Sequence, residues 1–268
     1  MKYSIITVNY NNKEGLRKTI ESVIHQSFRD FEFIVIDGGS TDGSAEVLKE
    51  YDKDISYWVS EKDNGIYNGM NKGIARAKGD YLNFMNSGDI FYNNNVLQQV
   101  EELHLTQDII IGRDYHFNEE THQGFATILP TRISMVTLYM QALPHQSTFY
   151  KRTLFDKYYY DESLKLVADH KFNIQKICIE GHSTILLDVI ICQREPDGAS
   201  NQHQNISNQE SKLVLTEFLP KGAIKDYDTL SLLGKSTVYK LMNECENEKA
   251  RKLLIFCIKV INRIMKCS

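Results

Sequence analysis

Ser4-Ile5-Ile6-Thr7-Val8-Asn9-Tyr10-Asn11-Asn12 is a β-branched run that breaks into asparagine-rich turn chemistry. Phe31-Glu32-Phe33-Ile34-Val35-Ile36-Asp37-Gly38-Gly39 repeats the form further along. Between them Leu16, Ile20, Val23 and Ile24 recur at helical spacing, with asparagine ready to cap the helix. Strand, helix, strand and a polar loop at each strand's carboxyl end make the repeating unit of a parallel sheet.

The unit continues outward. A helix is expected around Ser44 to Tyr51, then a strand Ile55 to Val59, then a helix carrying Ile66, Met70, Ile74 and Ala77 on one face. Tyr81 to Met85 reads as a strand running into Asn86-Ser87-Gly88-Asp89. The fold class follows: α/β, a mainly parallel twisted sheet with helices on both faces, Rossmann-like. Such sheets bind ligands beyond the carboxyl ends of their strands, where the polar clusters after Val8, Ile36, Val59 and Met85 fall. The alternation weakens past a strand at Asp108 to Gly112, through a variable stretch to Pro130 and an apolar segment from Met135 to Leu143. Glu195 to Gln209 reads as a polar loop, a candidate flap. Two regions are expected: one domain over 1–210, with halves 1–110 and 110–210, and a helical extension over 211–268.

Composition narrows the function. Of 268 residues 42% are hydrophobic and 25% charged, which is globular rather than disordered. A net charge of -4 supplies no chain-wide field for nucleic acid. Five cysteines, odd in number and without CxxC spacing, suggest neither a zinc cage nor a disulfide framework, which fits a reducing compartment. No signal-peptide pattern and no run of about 18 apolar residues appears, so a cytoplasmic location is expected. Lys249 to Ser268 carries six basic residues and no acidic one, opposite an apolar face. A basic amphipathic helix of this kind can lie peripherally on an anionic membrane; the competing reading is a terminal helix packed on the domain.

The chemistry-bearing residues follow the strands. Asp37 ends a buried strand and either meets a ligand or caps its own loop. In Asp63-Asn64-Gly65-Ile66-Tyr67-Asn68-Gly69-Met70-Asn71-Lys72-Gly73, three glycines in a helical region imply close approach of the backbone to a ligand or a neighbouring element. Lys72 is either a phosphate partner or a solvated lysine, and Asn71 and Ser87 join it as candidates. Asp89 follows an apolar strand, where one carboxylate plus substrate phosphates suffices for Mg2+ or Mn2+; the alternative is a plain Gly-Asp turn. Asp169 starts a helical segment, where a carboxylate can simply cap the helix, and His145 and His170 either meet the acceptor or phosphate side of a ligand or are ordinary hydrogen-bonded residues.

In their order, Ser4 to Asn11, Ser27-Phe28-Arg29-Asp30-Phe31-Glu32, Ile36 to Gly43, Asp63 to Gly73 and Asn86 to Asp89 resemble the family 2 glycosyltransferases of the GT-A-type fold. The resemblance covers roughly residues 1–200. It implies a nucleotide-sugar half (1–110) and an acceptor half (110–210). Val8 and Tyr10 would flank the base, Asp37 and Asp63 would contact base or ribose, Asp89 would bind Mn2+ or Mg2+, and Asp169 would be the catalytic base. The sequence departs from the family pattern where Asp37-Gly38 replaces Asp-Asp and where Asn86-Ser87-Gly88 leaves Asp89 the one acid of the metal motif. A processive QxxRW motif is lacking, so a single sugar from a nucleotide-diphosphate donor would pass, with inversion, to a hydroxyl of a sugar or lipid-linked saccharide. A sugar nucleotidyltransferase and a non-catalytic nucleotide-sugar-binding protein are the competing classes.

Overall fold

The computed structural model describes residues 1–118, 121–157, 159–194 and 203–235. Every residue of β1 (Tyr3–Asn9) is buried, as are all but the first of β2 (Phe31–Asp37), because both faces of these strands are covered. Their side chains alternate accordingly. Tyr3, Ile5, Phe33 and Val35 pack with Leu16, Ile20 and Val23 of α1 (Lys13–Ile24), Val47 and Leu48 of α2 (Ser44–Glu50), and Val96, Leu97 and Val100 of α4 (Val96–Glu102). Asn12 caps α1, its Oδ1 accepting from the Gly15 N–H at 3.1 Å.

The other face of β1 receives α3 (Ile66–Arg76). Here the glycines act structurally: a Cβ at Gly69 would lie 2.7 Å from Val8 Cγ1, and one at Gly73 2.5 Å from Ile6 Cγ2. The helix thus seats closer to the strand than any side chain permits.

Among the described residues nine strands form one sheet in the order β3-β2-β1-β4-β8-β6-β9-β5, with β7 paired to β6. β3 (Tyr57–Ser60), β2, β1 and β4 (Tyr81–Phe84) are parallel, as are β6 (Ile109–Asn118) and β9 (Thr184–Arg194). β8 (Thr148–Lys151) runs against β4 and β6, β5 (Ile90–Phe91) against β9, and β7 (Gln123–Ala126) returns on β6 as a hairpin. Parallel pairing is therefore concentrated in the first half, and the reversed strands gather beyond β4.

Several boundaries differ from expectation. β3 starts at Tyr57, and Ile55 enters the core before the strand begins. The strand expected at 108–112 continues to Asn118. The loop expected over 195–209 ends early, because residues 204–209 already belong to α7 (Gln204–Phe218); residues 195–202 lie outside the described residues.

An aromatic cluster sets the position of α6 (Ala168–Asn173). Phe172 stacks on Phe155 with centroids 4.5 Å apart and meets Tyr150 and Tyr160 edge-on. Two compact units result, Met1–Leu215 and Thr216–Ser268, the second described through residue 235 and containing α8 (Lys221–Lys235). Among the described residues no helix is long and apolar enough to cross a membrane. The basic segment 249–268 lies outside them.

Candidate active site

The parallel strands end at one edge, so the loops after Asn9, Asp37, Ser60 and Phe84 converge there. The reversal of β8 adds to the same edge. Asn83 pairs with Phe149, so the residues leading into β8, the short 3-10 turn His145–Ser147, lie beside the loop after β4. Asn83 Nδ2 fixes that turn by donating to the Gln146 carbonyl at 2.8 Å and the Thr148 carbonyl at 3.1 Å.

A cavity of about 970 Å³ opens at this edge. Of the candidate residues Val8, Tyr10, Asp63, Ser87, Asp89 and His145 line it, together with Lys62, Lys165 and Arg194. Asp63 is turned inward by an Asx turn, Oδ1 accepting from the Gly65 N–H at 3.0 Å. Its other oxygen lies where a side chain at 38 would be, since a Cβ on Gly38 would fall 2.8 Å from Asp63 Oδ2. Gly38 and the inward Asp63 are therefore one arrangement.

Three of the residues expected on the nucleotide side are not brought to this cavity. Asp37 is fully buried and accepts from Asn9 Nδ2, the Ser40 N–H and the Ser40 and Ser60 hydroxyls, so its carboxylate organises its own loop. Asn71 is a latch, donating to Tyr160 O and Glu162 and accepting from the Tyr160 N–H at 2.9 Å. Lys72 pairs with Glu61 at 2.7 Å, leaving Lys62 as the lysine of that stretch facing the cavity.

Asp89 sits buried in the wall, where Oδ2 accepts from Gln146 Nε2 at 2.9 Å. Nearby Asn86 Oδ1 is a buried acceptor with no hydrogen-bond partner. Its amide is oriented by His145, whose Nε2 lies 3.1 Å from Asn86 Nδ2. One carboxylate and one amide oxygen are hard donors, so these residues fit a cation that takes its remaining ligands from phosphate and water. Among the described residues no group of three or more His, Cys, Asp or Glu could hold a metal by itself.

A second cavity, of about 800 Å³, shares His145, Gln146, Leu166 and Arg194 with the first and is also lined by Asp169 and His170. Asp169 lies in the first turn of α6. Tyr67 of α3 donates to its Oδ1 at 2.6 Å, and His145 Nδ1 stands 3.4 Å from its Oδ2. Burial works to raise the Asp169 carboxyl, but the hydrogen bond and charge of His145, the Tyr67 hydroxyl and the charge of His170 hold it below the ordinary carboxylate range. The histidine charges act only while those rings are protonated. The Tyr67 hydroxyl is pushed well up, first by burial and then by Asp169, so it remains a donor. Burial lowers His170, whose Nδ1 has no partner.

The sequence singled out no role for Tyr67, Asn86, Gln146 or Arg194. Arg194 pairs with buried Asp114 at 3.7 Å. Nor was the clasp between α7 and the cavity visible: both carboxylate oxygens of Glu210 accept backbone N–H groups, from Lys165 at 2.8 Å and Leu166 at 2.9 Å. A residue's reach across the fold leaves no local signal.

Comparison with known proteins places this geometry. Residues 4–163 match the model of glycosyl transferase family 2. An uncharacterized glycosyltransferase of Mycobacterium tuberculosis strain H37Rv is 30% identical over 206 residues, covering 75% of this chain and 78% of that one. A PGL/p-HBAD biosynthesis glycosyltransferase of Mycobacterium bovis is 27% identical over 207 residues, 74% of this chain and 79% of that one. Among solved structures, Staphylococcus aureus TarS 1-349 in complex with UDP-GlcNAc superposes with a TM-score of 0.65 at 17% identity, over 93% of this chain and 78% of that one. The chain spans 46% of the longer TarS structure. The mannosyltransferase PcManGT of Pyrobaculum calidifontis, in complex with GDP-Man and Mn2+, superposes at 0.63 with 12% identity, over 97% and 80% of the two chains. The sheet with its flanking helices is thus of the GT-A type, and by the match over most of its sheet-forming residues the chain belongs to glycosyl transferase family 2.

Proposed function

We propose that the protein transfers a single sugar from a nucleotide-diphosphate donor to an acceptor hydroxyl with inversion. One observation carries the reading: consecutive residues tie the two carboxylates together. His145 contacts Asp169 in the second cavity and Gln146 donates to Asp89 in the first. A donor in the first cavity and an acceptor in the second would meet along the wall these residues form.

In this reading the acceptor oxygen attacks the anomeric carbon as the bond from that carbon to the diphosphate oxygen breaks, in one displacement. The hydroxyl proton passes to the Asp169 carboxylate, a general-base contribution of about 10²- to 10⁴-fold. Tyr67 and His145 hold that carboxylate ionised and oriented. Asp89 and Asn86 would hold a divalent cation, which when bound supplies Lewis acidity to the leaving diphosphate. Val8, Tyr10, Asp63 and Ser87 would seat the nucleotide. The catalytic domain would span 1–210 and the helical extension 211–268.

The support for a nucleotide-sugar donor is the family and the donors named for the superposed structures, UDP-GlcNAc and GDP-Man. A role in cell-surface polysaccharide or glycolipid synthesis, and a cytoplasmic location with peripheral membrane contact through 249–268, complete the proposal. Incubation with a panel of nucleotide sugars, with release of nucleoside diphosphate and product anomer read by NMR, tests the central claim. Release of pyrophosphate, or donor binding without turnover across acceptors, would sink it.

A further inference from the structure

The second cavity has two chemically different ends. Asp169, His145 and His170 form one, against the wall shared with the donor-side cavity. The remainder is lined by residues of β7, of the chain after it and of α5 (Met135–Met140), with Ser207, Asn208, Ser211 and Leu215 of α7, and none of its lining residues between Phe125 and Leu143 is charged. Large apolar side chains stand open at this wall: Phe125 is 66% exposed, Ile128 89% and Met140 43%. Buried Asp114 also lines the cavity, but it is engaged by the Ser147 hydroxyl and by Arg194.

A cavity that holds a carboxylate base at one end and an uncharged apolar wall at the other is complementary to a molecule of the same polarity. We propose that the acceptor is amphipathic: a hydroxyl-bearing sugar carrying an apolar aglycone, the hydroxyl at Asp169 and the aglycone against Phe125, Ile128 and Met140. This deepens the glycosyl-transfer reading and rests on it. A charged acceptor finds no counter-charge along that wall, and a free polar sugar would leave the exposed apolar groups uncovered. Burying such a group is worth about fourfold in affinity for each methylene removed from water.

The test is calorimetric titration of the full chain with methyl and n-octyl β-D-glucopyranoside, the latter below its micelle concentration. Octyl glucoside should bind at least about tenfold more tightly, since two buried methylenes already supply that factor. In the double variant Ile128→Ser/Met140→Ser the preference should fall below about threefold with methyl glucoside unchanged. Both residues are exposed enough that the fold should tolerate the change, and an unchanged melting curve checks this. Equal binding of the two glycosides, or a preference that survives in the variant, overturns the proposal. Nucleotide-sugar binding and turnover are measured on the same samples. Donor turnover without an alkyl preference removes this proposal and leaves the transfer reading, whereas an alkyl preference without donor binding does the reverse.

Discussion

Asp169 is held from both sides of the sheet's edge, by Tyr67 from α3 and by His145 from the turn before β8. Because the proposed general base would act in the transition state, Asp169→Asn should lower kcat by about 10²- to 10⁴-fold with donor affinity nearly unchanged. Single-turnover rates beside donor calorimetry check this, and a kcat within about threefold of the parent removes Asp169 from the mechanism. Tyr67→Phe tests the clamp. The hydroxyl stabilises the ionised carboxylate, so its loss raises the Asp169 pKa, and the acidic limb of the kcat/KM profile should move to higher pH while the alkaline limb stays. The same sign governs stability: what Asp169 contributes is present above the ordinary carboxylate range and lost as pH falls through its depressed value. An unshifted limb would make Tyr67 a packing residue. Asp89→Ala should abolish the increment that Mn2+ adds to donor binding, read by calorimetry with and without the ion. At this scale position was legible for residues that follow a strand, Ser87, Asp89 and Asp63, which line the cavity at that edge. It was ambiguous for Asp37, where a buried carboxylate among its own loop's donors reads the same as one that meets a ligand.

The elements are legible where their pattern is strong. β1, β2 and α1 announce themselves because buried strands are continuously apolar and α1 has both a cap and a periodic face. β8 and β5 do not: four and two residues are too short for a period, and what makes them strands is the partner beside them. The glycines of α3 were visible as a requirement for close approach, and the structure identifies the neighbour as β1. That seat is testable. Gly73→Leu drives a side chain into Ile6 and should destabilise the protein by about 1–3 kcal/mol, despite the better helix propensity of leucine. Thermal melting should fall by about 2–4 °C for each kcal/mol. An equal or raised Tm would show that α3 can slide on the strand.

For the whole molecule, the matched family region ends at residue 163, short of Asp169, β9 and α7. A fragment stopped there would strip β5 of its pairing with β9 and uncover one side of β6. Such exposed edges template association, so the fragment should be recovered as aggregate by size-exclusion chromatography. A monodisperse, cooperatively melting fragment would refute this. Glu210 makes the dependence sharper, because it takes the backbone N–H groups of two residues that border both the first cavity and the entry to α6. Anyone grafting the carboxyl-terminal part of a relative onto this chain therefore inherits a matching problem. A donor helix without a carboxylate at that position leaves two amides without their acceptor, so chimeras are expected to fail by loosening the active-site lip rather than by losing the fold.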